Sequence, residues 1–138
     1  MRPIYETAQD RQREEEVRRY LVGEYKSNYT KTPDLHAVDG LWYDPDNILS
    51  AVVEIKTRKN AKDKYPTYML SAQKWRKGLE IAAEYGVPFM LIVQFTDGIY
   101  GARLRKDYPI SIGGRFDRGD AKDIEECIYI PLIEFKKM

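Results

Sequence analysis

The sequence is poor in the residues that most often do chemistry: its 138 residues include one cysteine, Cys127, and one histidine, His36. A lone cysteine cannot close an internal bridge, so a disulfide scaffold is excluded. The same scarcity excludes zinc held by Cys and His and any two-histidine pair, and leaves a Ser-His or Cys-His pair no imidazole but His36. His36 reads as structural. Long hydrophobic runs are missing too. The longest, Val87 to Val93, is broken by Pro88 and far too short to span a bilayer, and the opening MRPIYETAQD has no signal core. The expectation is a cytoplasmic protein with no membrane partner. Charge of one sign is not in excess either: 23 Lys and Arg face 22 Asp and Glu. Nucleic-acid binding would therefore need a local basic face and not bulk attraction. The length suits one domain over 1–138. Chemistry is left to carboxylates, Lys, Tyr and a bound metal.

What is there is strongly patterned. Glu6 to Lys26 is charged, nearly free of Gly and Pro, and repeats Val17, Tyr20, Leu21 and Glu24 at helical spacing. The turn-rich Ser27 to Pro33 leads into two apolar runs, Leu35 to Tyr43 and Ile48 to Thr57, around Asp44-Pro45-Asp46-Asn47, the pattern of a hairpin. In the second run Leu49, Ala51, Val53 and Ile55 form an apolar face, which puts Glu54 and Lys56 together on the other. After a basic loop, Arg58 to Lys64, Ser71 is placed to cap a helix through Tyr85 with a stripe of Ala72, Trp75, Leu79 and Ala82, stopped by Gly86 and Pro88. Phe89 to Phe95 reads as a strand covered on both faces. Asp97-Gly98 turns it into a partner from Ile99 to Arg103 or Leu104. Strand, helix and strand imply a parallel crossover. Gly113 to Asp120 reads as a polar loop, and Cys127 to Phe135 as a last strand, either at an edge or cut short by Pro131.

The chemistry concentrates at Glu54-Ile55-Lys56. A hard cation, Mg²⁺ or Mn²⁺, takes oxygen ligands and keeps several waters, so Glu54, a second carboxylate and the Ile55 carbonyl make a suitable open site, with Lys56 to orient or deprotonate water. An even hairpin loop sets Glu54 opposite position 37 and puts Asp39 on its face. An odd loop or a bulge favours Asp34 instead.

Pro33-Asp34, Asp39-Gly40 and Val53-Glu54-Ile55-Lys56 together resemble the PD-(D/E)xK nuclease superfamily. The resemblance implies an α/β fold with a restriction-endonuclease-like core: a mixed central sheet flanked by helices in α-β-β-β-α-β order, followed here by a C-terminal β extension. It implies metal at Asp39 and Glu54, a catalytic Lys56, and a first-helix glutamate near the metal, Glu14 fitting better than Glu15 or Glu16. Gln73 and Lys74 occupy the place where similar enzymes carry a Gln or Lys, beside the Ser71 cap, where a helix N-terminus can grip phosphate. Arg58, Lys59, Lys62, Ser71 and Arg115, with Arg118, Tyr65 and Tyr68, are candidate DNA contacts.

The implied activity is a metal-dependent deoxyribonuclease, an endonuclease acting on DNA structure in repair, recombination or phage replication, working in the host cytoplasm if phage-encoded. Similar Holliday junction resolvases are comparably small and dimeric, so a homodimer is compatible. The alternative is an inactive nucleic-acid-binding module on the same fold. The plainer readings are a surface Glu54–Lys56 ion pair, solvated charges in the REEEVRR run, and a basic loop serving only solubility.

Overall fold

A computed structural model describes residues 8–25, 28–31, 38–114 and 124–138. Its first helix, α1 (Ala8–Tyr25), carries most of its charge in the run from Asp10 to Arg19. Val17 and Leu21, one turn apart, are fully buried, whereas Tyr20 is exposed. Strands β1 (Asn28–Lys31), β2 (Gly40–Tyr43) and β3 (Leu49–Thr57) follow, then β4 (Thr67–Ser71), α2 (Ala72–Tyr85), β5 (Phe89–Phe95), β6 (Gly98–Arg103), β7 (Ile110–Gly114), β8 (Ile124–Pro131) and β9 (Lys136–Lys137). Six of these form one sheet in the order β1-β2-β3-β5-β6-β9. Within it β3 and β5 run parallel, from Val52 beside Phe89 to Thr57 beside Gln94, and the other pairs are antiparallel. The sheet is therefore mixed, with α2 in the connection between its two parallel strands.

Period-two alternation in β3 separates two cores. Ala51, Val53 and Ile55 cluster with Val17 and Leu21 under α1. On the other face Val52 joins Tyr68, Leu70, Trp75, Ile128 and Ile130, the contribution of α2 and of a second sheet ordered β4-β8-β7. The caps of α2 explain its sharp ends. Ser71 Oγ accepts the Lys74 N–H, and Gly86 takes φ 69°, a left-handed turn that a side chain would strain. Trp75 donates Nε1–H to the Arg105 carbonyl at 2.8 Å, pinning the helix to the segment after β6. In the β2–β3 turn the Asp44 carboxylate accepts N–H groups from Asp46 and Ile48, both at 2.9 Å.

Several sequence expectations need correction. Asn28–Lys31 lies in the stretch read as turn, yet pairs with β2: its tyrosine and threonine suit an edge strand. The strand expected from Leu35 begins at Gly40, and residues 32–37 lie outside the described set. The second sheet was not expected at all, because β4 and β7 are five-residue strands with little apolar contrast. The strand expected over Cys127–Phe135 starts earlier, at Ile124, and is cut short at Pro131 as one of its two readings has it, a 3₁₀ turn, Leu132–Glu134, taking over before the two-residue β9. β8 is also central, between β4 and β7. Pro131 is tolerated because it closes the strand. No helix of the described residues is long and apolar enough to cross a membrane.

Candidate metal and nuclease site

Beyond the first residue of β2 the chain stays against β3. Asp39 donates its N–H to the Val53 carbonyl at 3.0 Å, and its Oδ2 accepts the Ile55 N–H at 2.6 Å. Gly40 pairs with Val53, so Asp39, and not residue 37, comes level with Glu54. The hairpin register shifts between Trp42 and Tyr43, where Trp42 pairs with Ala51 and Tyr43 with Leu49. That irregularity slides the strands by one residue and the odd loop closed by Tyr43 and Leu49 by another, so the two reversals of parity cancel and Asp39 keeps the face of Glu54. Asp34, His36, Arg115 and Arg118 lie outside the described residues.

Glu54 is only 1% exposed. Its Oε1 accepts from Lys56 Nζ at 3.2 Å and from Lys74 Nζ, which reaches across from the first turn of α2. Its Oε2 is buried without a hydrogen-bond partner among the described residues. The two lysine side chains are 31% and 24% exposed, so the cluster opens to solvent on its cationic side. Burial, then the charges of Glu54 and Glu14, push the Asp39 carboxyl up to about 7 against the opposing pull of the Ile55 N–H and Lys56. Burial also depresses Lys56, as does the Lys74 ammonium, while Glu54 and Asp39 resist. Lys74 feels the same burial, but the carboxylates outweigh it and hold its pKa above the ordinary value.

The remaining candidates divide clearly. Glu14 is buried on the helix face of Val17 and Leu21 and acts on Asp39 electrostatically, whereas Glu15 is paired with Arg18 and Arg19 and Glu16 is exposed. Gln73 is exposed on the first turn of α2. Ser71 is committed, accepting from the Lys74 N–H and donating to Glu125 Oε2 at 3.2 Å. Arg58 and Lys59 are exposed at the end of β3, and the Lys62 N–H is tied to Asp97 at 3.0 Å. Tyr65 is exposed, but Tyr68 is 5% exposed and therefore cannot lie against a base. Its ring instead packs under the Arg58 guanidinium, 4.7 Å from the centroid. The burial of Tyr68 was hidden because β4 itself was.

No group of three or more His, Cys, Asp or Glu among the described residues forms a complete metal cage. The donor set nevertheless fits a hard divalent cation in an open site. Two carboxylates are pressed together, one is driven toward protonation, and the other holds an orphaned oxygen, all of which a bound cation relieves. Asp39, Glu54 and the Ile55 carbonyl are the groups that would hold it.

No curated protein matches the chain. Among solved structures it is similar to the 1.6 Å structure of Hjc, a Holliday junction resolvase from the archaeal hyperthermophile Archaeoglobus fulgidus, with a TM-score of 0.54 and 12% identity over 67% of this chain and 75% of that one. The likeness establishes the nuclease fold expected of a restriction-endonuclease-like core. Residues 1–138 match the family described as "Phage putative PDDEXK endonuclease", and the chain belongs to that family.

Proposed function

We propose that this chain is a divalent-metal-dependent deoxyribonuclease that cuts DNA phosphodiester bonds as an endonuclease, with Asp39, Glu54 and Lys56 at its centre. The observation that carries the reading is the buried Glu54 carboxylate, level with Asp39, with one oxygen held by two lysines and the other unpartnered. Mg²⁺ or Mn²⁺ bound there supplies charge neutralisation at the attacked phosphate and a more acidic water. The protein's own contributions follow from the geometry. Asp39 and Glu54 hold the cation, with Glu14 adding negative potential from α1. Lys56, its pKa depressed, is suited to accept a proton at Nζ from the attacking water. Lys74 stays charged, fixes Glu54 and offers an ammonium to a phosphate oxygen. Arg58, Lys59 and Lys62, with Arg115 from the segment after β7, are the candidate backbone contacts.

The resolvase likeness supports branched DNA as the first substrate to try, and with it a homodimer. A role in repair, recombination or phage replication in the host cytoplasm is consistent with the family. A core shared between both sheets supports one domain.

The test is calorimetric Mn²⁺ titration of wild type, Asp39→Ala and Glu54→Ala, beside cleavage of single-stranded, duplex, flapped and four-way DNA. Binding and cutting that disappear in both variants are expected. Retention of DNA without cleavage by wild type in Mg²⁺ or Mn²⁺ would instead establish an inactive binding module.

A further inference from the structure

Two buried oxygens lack a hydrogen-bond partner among the described residues, Glu54 Oε2 and the Tyr68 hydroxyl. Buried polar atoms are paired in the great majority of cases, and two orphans in one place call for a shared explanation. They belong to the same interlayer region. Glu54 follows Val52 on the even face of β3, and Val52 clusters with Tyr68 and Leu70 of β4. Lys74, just beyond β4 in sequence, descends on Glu54 from that side, and Arg58, on the even face two residues past Lys56, covers the Tyr68 ring. Tyr68 is anchored further by Phe135, with ring centroids 5.8 Å apart. The charge of Glu54 is close enough to add to burial in holding the Tyr68 phenol above its ordinary range. One orphan is an acceptor and the other carries a donor.

We infer that Tyr68 is a positioning residue for Glu54: across one ordered water its O–H holds Glu54 Oε2, fixing the rotation of the carboxylate that the proposed site presents to the cation. A bridging water satisfies both orphans at once. The two lone pairs of Oε2 suffice for this contact and for a metal, while Oε1 remains with the lysines. Tyr68 thereby links β4 to the ligand carboxylate. Outer partners of this kind typically control metal affinity by roughly 10- to 100-fold.

The inference rests on the metal reading above, so the experiment separates the two. Tyr68→Phe keeps the ring packing and removes only the O–H. Mn²⁺ affinity by calorimetry should fall roughly 10-fold or more, with the metal-free melting temperature retained and kcat, not the KM for DNA, reduced. Unchanged Mn²⁺ affinity in Tyr68→Phe, while Glu54→Gln abolishes binding, overturns the role of Tyr68 alone. Binding that survives Glu54→Gln overturns the metal reading and this inference together.

Discussion

The most informative perturbation is neutralisation of Asp39. Its carboxyl ordinarily titrates near 3.8 but is pushed up to about 7, chiefly by burial and then by the charges of Glu54 and Glu14. Titration near 7 instead of 3.8 makes the charged form cost about 4 kcal/mol in the metal-free fold. Because the folded value lies above the unfolded one, this stabilising proton is fully bound below about pH 4, and its contribution is lost as pH rises through 7. Asp39→Asn copies the protonated form and still offers an oxygen to the Ile55 N–H, so its stability should not carry that slope.

Thermal melts by circular dichroism on chelator-treated protein provide the assay. Between pH 4 and 8 the wild type should lose on the order of 10 °C relative to Asp39→Asn. Adding Mn²⁺ should reverse the order at pH 8, since the cation needs the carboxylate. Its apparent affinity for wild type should weaken up to about tenfold per pH unit below 7, with proton uptake by buffer visible in the binding heat. Parallel melting curves for the two proteins from pH 5 to 8 would refute the argument from burial and like charge.

Two further outcomes follow from the packing and the charge. In an exposed helix Gly78→Ala would gain about 1 kcal/mol, but here a Cβ would overlap the Cδ2–Cε2–Cζ side of the buried Phe89 ring, so a net loss of about 1–3 kcal/mol is expected in urea unfolding. Arg58→Gln should reduce the slope of log affinity for DNA against log salt by about 1 and leave Mn²⁺ binding intact, as fluorescence anisotropy would show.

Much of the fold was legible because strong local signals mark it. The Ser71 cap and the Gly86 stop bracket α2 to within a residue, and the apolar FMLIVQF run coincides with β5. Alternation in β3 separated Glu54 and Lys56 from the apolar face of Val53 and Ile55, and the fold lays α1 over that face. The short strands were illegible for a physical reason. NYTK, TYMLS and ISIGG carry too few residues for a periodic signal, and their pairing with β2 and β8 is made by backbone hydrogen bonds, which any sequence can form.

For the candidate site, local chemistry determined the residue types: an acidic and a basic residue two positions apart on a strand, an aspartate beside a glycine, a lysine in a capped helical turn. Tertiary structure decided which of them meet. The register shift at Trp42–Tyr43 brought Asp39 level with Glu54, the β4–α2 junction lowered Lys74 onto the same carboxylate, and the second sheet buried Tyr68 behind it. Those contacts join residues 15 to 20 positions apart or more, and only the packing of layers, through burial and the electrostatics it strengthens, assigns such partners.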